Sequence, residues 1–109
     1  MEKVYNKLVR DNIPSIIKNN GSTPFTRILN DNEYKDELEK KLYEEYNEVL
    51  NANGVNERIE ELADMLEIII SLASLENKTL DDIITVCDNK RIKRGGFKEK
   101  IFLEKVVEE

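Results

Sequence analysis

Lys41-Leu42-Tyr43-Glu44-Glu45-Tyr46-Asn47-Glu48 and Glu60-Glu61-Leu62-Ala63-Asp64 are the stretches whose reading decides the fold. On a helix, residues three apart project from one face, so Glu45 pairs with Glu48 and Glu61 with Asp64. The segment between the pairs, Val49 to Glu60, contains Asn53-Gly54, a turn signal. Two helices joined there and packed antiparallel bring both acid pairs into one layer. Glu45 is also in register with Leu38, Leu42 and Val49, which sets a carboxylate on an apolar stripe. Ionised carboxylates facing a core cost on the order of several kcal/mol unless something compensates them. Two readings follow: ordinary solvated acidic faces, or a site for divalent cations. An all-oxygen donor set selects Mg²⁺, with Mn²⁺ as the other hard ion, over zinc.

Around these stretches the pattern is helical. Asn30 with Glu33 three residues on resembles a capping box and opens a helix to Ala52, carrying Tyr34, Leu38, Leu42, Val49 and Leu50 on one side. Asn56 is the expected cap of the next helix, which runs to Leu75 with Asn77 as its stop. Thr79 with Asp82 starts another, whose stripe Leu80, Ile83, Ile84 and Cys87 assigns Cys87 to the core, and Gly95-Gly96 stops it. Upstream, Asp11 is the expected cap of a short helix through Ile13, Ile16 and Ile17, with Pro14 in its first turn and Asn20-Gly21 at its end. Phe25 to Leu29 and Ile101 to Val107 alternate apolar and polar residues and are candidates for minor peripheral strands. The expectation is an all-α fold: one compact helical bundle over residues 1–109, with three long helices and one short one.

Composition narrows the chemistry. A chain of 109 residues holds one core and, as a compact domain, buries roughly 65% of its unfolded surface. It contains no His and one Cys, which excludes His-based acid/base catalysis, catalytic triads, His-containing metal sites, disulfide frameworks and four-thiolate zinc sites. The longest weakly polar run, Ile68 to Leu75, is far too short for a membrane span, and Met1 to Asn12 has no signal-like apolar region, so the chain reads as cytoplasmic. The net charge of -6 conceals a segregation: Asp31 to Asp88 holds 17 acids and 5 bases, whereas Met1 to Asn30 holds 2 and 5, and Lys90 to Lys105 holds 2 and 7. Such a chain repels a nucleic-acid polymer over most of its surface but suits a small anion arriving with a divalent cation.

The basic blocks each carry two readings. Lys90, Arg91, Lys93 and Arg94 close a helix, where cations are locally favourable. Arg94-Gly95-Gly96-Phe97 also offers forked donors and open backbone N-H groups to phosphate, with Phe97 free to cover a base. Lys7, Arg10 and Asp11 divide likewise between helix-start chemistry and phosphate contact. Tyr43 and Tyr46 divide between packing and base stacking.

The spacing Glu-x-x-Glu, twelve residues, Glu-x-x-Asp resembles the signature of the all-alpha nucleoside triphosphate pyrophosphohydrolases, the superfamily of MazG-like proteins, phosphoribosyl-ATP pyrophosphohydrolase and the dimeric dUTPases. Lys7-Leu8-Val9-Arg10-Asp11-Asn12-Ile13-Pro14, Glu61-Leu62-Ala63-Asp64 and Arg94-Gly95-Gly96-Phe97 are similar, in that order, to a compact MazG-like house-cleaning branch. The resemblance implies that Glu45, Glu48, Glu61 and Asp64 are magnesium ligands, with Lys7, Arg10, Lys93, Arg94 and Phe97 on the substrate side. It implies hydrolysis of a modified or surplus (d)NTP to the monophosphate and pyrophosphate. Glu44 or Glu45 is the candidate acceptor of the water proton, with Glu44 alternatively an outer partner or merely exposed; Glu67 extends the Asp64 face by one turn. The alternatives are a phosphoribosyl-ATP pyrophosphohydrolase-like enzyme of histidine synthesis and a non-catalytic helical interaction module. Apolar residues on two sides of the helix ending at Leu75, namely Leu62, Leu66 and Ile69 against Met65, Ile68, Leu72 and Leu75, point to a homodimer or homotetramer, as the resemblance also does.

Overall fold

Reciprocal capping fixes two of the helix starts. At Asn30 the side-chain Oδ1 accepts from the Glu33 N-H at 2.9 Å, while the Asn30 N-H donates back to Glu33 Oε1 at 3.4 Å. Arg27 forks onto the same carboxylate at 2.9 and 3.2 Å and holds Glu33 below the usual carboxylate range, first through that hydrogen bond. Thr79 and Asp82 repeat the reciprocal pattern, the Thr79 N-H donating at 2.8 Å. Between and beyond these caps the computed structural model, which describes residues 1–108, is all-α, with four helices: α1 (Ile13–Asn19), α2 (Asp31–Asn51), α3 (Gly54–Leu75) and α4 (Leu80–Arg94). No helix among the described residues is long and apolar enough to cross a membrane.

Several expectations need correction. Asn56 lies inside α3, which starts at Gly54. Gly54 takes φ +82°, a conformation that favours glycine, and α3, with Asn53 at its cap position, begins three residues early. α1 follows Asn12, not Asp11, and neither Asn12 nor Asn53 makes a side-chain capping bond. Phe25 to Leu29 and Ile101 to Val107 form no strand, since no strand among the described residues lies beside either to complete a ladder.

The core is one seam. The two-residue link Ala52-Asn53 folds α3 back along α2, and Arg58 Nη1 donates to the Val49 carbonyl at 3.2 Å, satisfying one of the last acceptors of α2. Leu38 and Val49 of α2 and Ala73 of α3 are buried, with Leu42, Met65, Ile68 and Leu72 half-buried on the same helices. α4 touches only α3, and lightly. Its stripe therefore has little cover among the described residues, and Cys87, expected in the core, is exposed.

The chain is accordingly open where compactness was expected. Its radius of gyration is 19.0 Å, against about 13 Å for a compact domain of this length. The accessible surface is 10373 Å², whereas a folded monomer of this mass exposes about 6,200 Å².

The cap assignments have a direct consequence. Asn30→Ala should destabilise the protein by about 1 kcal/mol in urea titration, while Asn56→Ala, inside a helix, should be neutral or stabilise it by a few tenths of a kcal/mol.

Candidate functional site

The α2–α3 hairpin places its acids as the helical spacing requires. Glu45 on α2 and Glu61 and Asp64 on α3 are all half-buried, and each contributes a carboxylate oxygen to a group lying within 4.8 Å of one another. Glu48, one turn beyond Glu45, is exposed and stands beside this trio. Its charge nevertheless acts on both Glu45 and Glu61. Glu44 points its position to the exposed side of α2, outside the group.

Crowding changes the proton affinity of these groups. Burial, then the charges of Glu48 and Asp64, pushes Glu45 above the usual carboxylate range. Glu61 is pushed up to about 7, first by hydrogen bonding with Glu48, then by burial, then by the negative charge of Glu48 and Glu45. Glu45 Oε2 and Glu61 Oε2 are both shielded from solvent with no hydrogen-bond partner. Two partnerless carboxylate oxygens facing a shared acidic group leave an unmet electrostatic demand, which a hard divalent cation fits.

A long-range contact completes one side of the site. Arg10 Nη2 donates to Asp64 Oδ1 at 2.7 Å, joining residues 54 apart in sequence. The Lys7–Pro14 block is thereby brought to the acidic group: Leu8 to Ile13, with Ile16, wall an open cleft of ≈ 650 Å³ whose other side carries Glu45, Asp64 and Glu67. Lys7 itself stays outside, its Nζ 5.9 Å from the centre of the Tyr5 ring. Tyr43 and Tyr46, with ring centroids 6.4 Å apart, are exposed on α2 and do not line the cleft.

Sequence reasoning passed over Lys41 and Tyr34, which both line the cleft. The signal was present: Lys41 precedes Glu45 by four residues, and Tyr34 precedes Leu38 by four, so all four share a side of α2. The remaining basic block lies elsewhere. Arg94, Gly95, Gly96 and Phe97, with Lys90 and Arg91, line a separate hollow of ≈ 430 Å³ that contains no acid. Lys93 lines neither hollow.

No protein-family model, curated protein or solved structure matches the chain.

The raised carboxyls make metal-free stability depend on pH. Between the ordinary 4.5 and about 7, Glu61 binds more proton in the folded than in the unfolded chain, so stability falls as pH rises through that window. Glu33 and Asp82, whose values are lowered, act oppositely and lose their contribution only as pH falls below the ordinary carboxylate range. In chelator, the melting temperature should drop between about pH 5 and about pH 8, and Glu61→Gln should flatten that drop in thermal melts followed by circular dichroism.

Proposed function

We propose that this chain is a MazG-like nucleoside triphosphate pyrophosphohydrolase that hydrolyses a modified or surplus (d)NTP to the monophosphate and pyrophosphate. The observation that carries the reading is the convergence of Glu45, Glu61 and Asp64 within 4.8 Å, with two shielded oxygens left without partners. The cleft beside them supports it, since ≈ 650 Å³ lies within the roughly 300–1,000 Å³ typical of small-molecule sites. The resemblance carried by the order of the three sequence blocks supports the choice of family.

Each residue then has a role. Glu45, Glu61 and Asp64, with Glu48 beside them, hold Mg²⁺, and Mn²⁺ is the natural substitute. The chemistry that a bound ion supplies there is neutralisation of phosphate charge and a more acidic water. Arg10 presents its guanidinium at the cleft edge, where donors that now engage Asp64 also match phosphate oxygens. Lys41 adds a second cation on the α2 side. Tyr34, Val9 and Ile13 provide apolar wall for the nucleoside. Hydrolysis adds water to the α phosphorus as its bond to the bridging oxygen breaks, leaving pyrophosphate. Glu45 lines the cleft and is the carboxylate placed to accept the water proton; Glu44, on the adjoining exposed position, takes an outer role.

The test is pyrophosphate release from a nucleotide panel with Mg²⁺. Glu45→Gln and Asp64→Asn should each lower turnover by about 100-fold or more with helical content unchanged, since each removes an anionic donor without removing volume. Full activity in both variants would end the assignment.

Arg10→Ala should reduce kcat/KM at least about tenfold, while Lys105→Ala, outside every motif, should leave it within twofold. Equal, negligible effects would reduce Arg10 to a partner of Asp64 with no part in binding phosphate.

A further inference from the structure

We infer that Arg10 is a built-in stand-in for the divalent cation: it neutralises the acidic cluster through Asp64 and, when a cation takes its place, turns its guanidinium to the phosphates. The inference rests on the cation site proposed above and adds an order of events to it, with cation and anion binding linked through one side chain.

The ion pair is specific. Arg10 Nη2 lies 2.7 Å from Asp64 Oδ1, and Asp64 is one of the three acids whose oxygens lie within 4.8 Å of one another. Two bases line the cleft, Arg10 and Lys41, against four acids, Asp11, Glu45, Asp64 and Glu67. Lys41 forms no ion pair among the described residues, and Lys7 stands outside, over the Tyr5 ring. Direct neutralisation of the cluster therefore falls to Arg10.

The ion pair is also weak enough to exchange. The Arg10 and Asp64 side chains are 59% and 42% exposed, and pairs so exposed stabilise by a factor of about five at most. A divalent cation brings twice the charge to several anionic oxygens at once and outcompetes a single guanidinium there. The backbone need not move. The Ile13 N-H donates to the Arg10 carbonyl at 3.0 Å, which fixes Arg10 at the entry to α1, and Leu8 and Val9 before it are half-buried along the cleft. Only the side chain has to turn. A guanidinium released from Asp64 remains at the wall of an open cleft of ≈ 650 Å³, and its planar fork matches phosphate as well as carboxylate.

Charge then sets the order. With four acids against two bases along the cleft, a polyphosphate meets net repulsion until a cation arrives. Cation binding reverses the local charge and frees Arg10 in one event. Because each ligand favours the state in which Arg10 has left Asp64, each strengthens the binding of the other by the same factor. The competing account is a pin. Among the described residues this is the one hydrogen bond that joins residues 1–22 to the α2–α3 hairpin, and α1 makes no close backbone approach to another helix. A residue that merely pins the segment supports both ligands or neither.

The two accounts predict opposite signs for one substitution. Mn²⁺ titrated calorimetrically into anion-free protein should bind Arg10→Ala about three- to fivefold more tightly than the wild type, with Lys105→Ala unchanged. Tripolyphosphate added at saturating Mg²⁺ should bind Arg10→Ala at least about tenfold more weakly. In Asp64→Asn chains, where the acceptor charge is gone, Arg10→Ala should change Mn²⁺ affinity by less than about 1.5-fold. In the wild type, Mg²⁺ should shift the ¹⁵N resonances of the Arg10 guanidinium, which are assigned by their loss in Arg10→Ala. If Arg10→Ala loses helical signal in circular dichroism, Arg10→Gln is titrated in its place and the same signs are expected. Weaker binding of both ligands makes Arg10 a pin and overturns the inference. Equal tightening of Mn²⁺ in Asp64→Asn chains reduces the effect to bulk charge and also overturns it. Equal Mn²⁺ affinity in the wild type and Arg10→Ala ends the exchange and leaves the cation site standing, whereas Mn²⁺ bound by no variant ends both.

Discussion

The seam between α2 and α3 has to bury apolar side chains and crowd carboxylates at the same time. Leu38, Val49 and Ala73 close it by burial, and Glu45, Glu61 and Asp64 occupy its half-buried layer with too few partners. Apolar closure on either side of the layer holds the helices together against the repulsion between them. That opposition accounts for the raised proton affinity of Glu45 and Glu61, and for the engagement of Arg10, which among the described residues is the one cation that donates directly to the group. Without the seam the acids would separate into solvent, and neither the acidic cluster nor the adjoining cleft would exist.

Much of this geometry was legible in the sequence because it is local. The reciprocal caps at Asn30 and Thr79 depend on residues three apart, and the alignment of Glu45 with Leu38 and Val49 depends only on helical period. The start of α3 was misplaced because a polar residue, Asn56, outweighed the backbone freedom of Gly54 in the reading. Cys87 was misassigned for a different reason. Periodicity identifies a face that needs cover but not whether the same chain provides it, and α4 has almost none.

The cleft was legible only in pieces. Lys7-to-Pro14 could be recognised as a block, yet the hydrogen bond from Arg10 to Asp64 spans 54 residues, a separation that no local pattern encodes. The Arg94 block was placed on the substrate side, and in the single chain it lines a hollow of its own. The acidic, apolar and basic parts are therefore distributed along the sequence in an order that one open chain does not bring fully together.

The link between α2 and α3 acts as a ruler. Ala52 and Asn53 span the turn, Gly54 enters α3 with a positive φ, and Arg58 ties the start of α3 to the end of α2. One residue added there would rotate α3 by about 100° relative to α2 and carry Glu61 and Asp64 off the shared layer. Substitution of Ala52 or of Asn53, which makes no capping bond, leaves that spacing intact, whereas a change in the number of residues between Glu48 and Glu61 does not. Inheritance of this site is thus inheritance of a length, and an insertion that leaves every acidic residue in place would erase it as completely as their replacement.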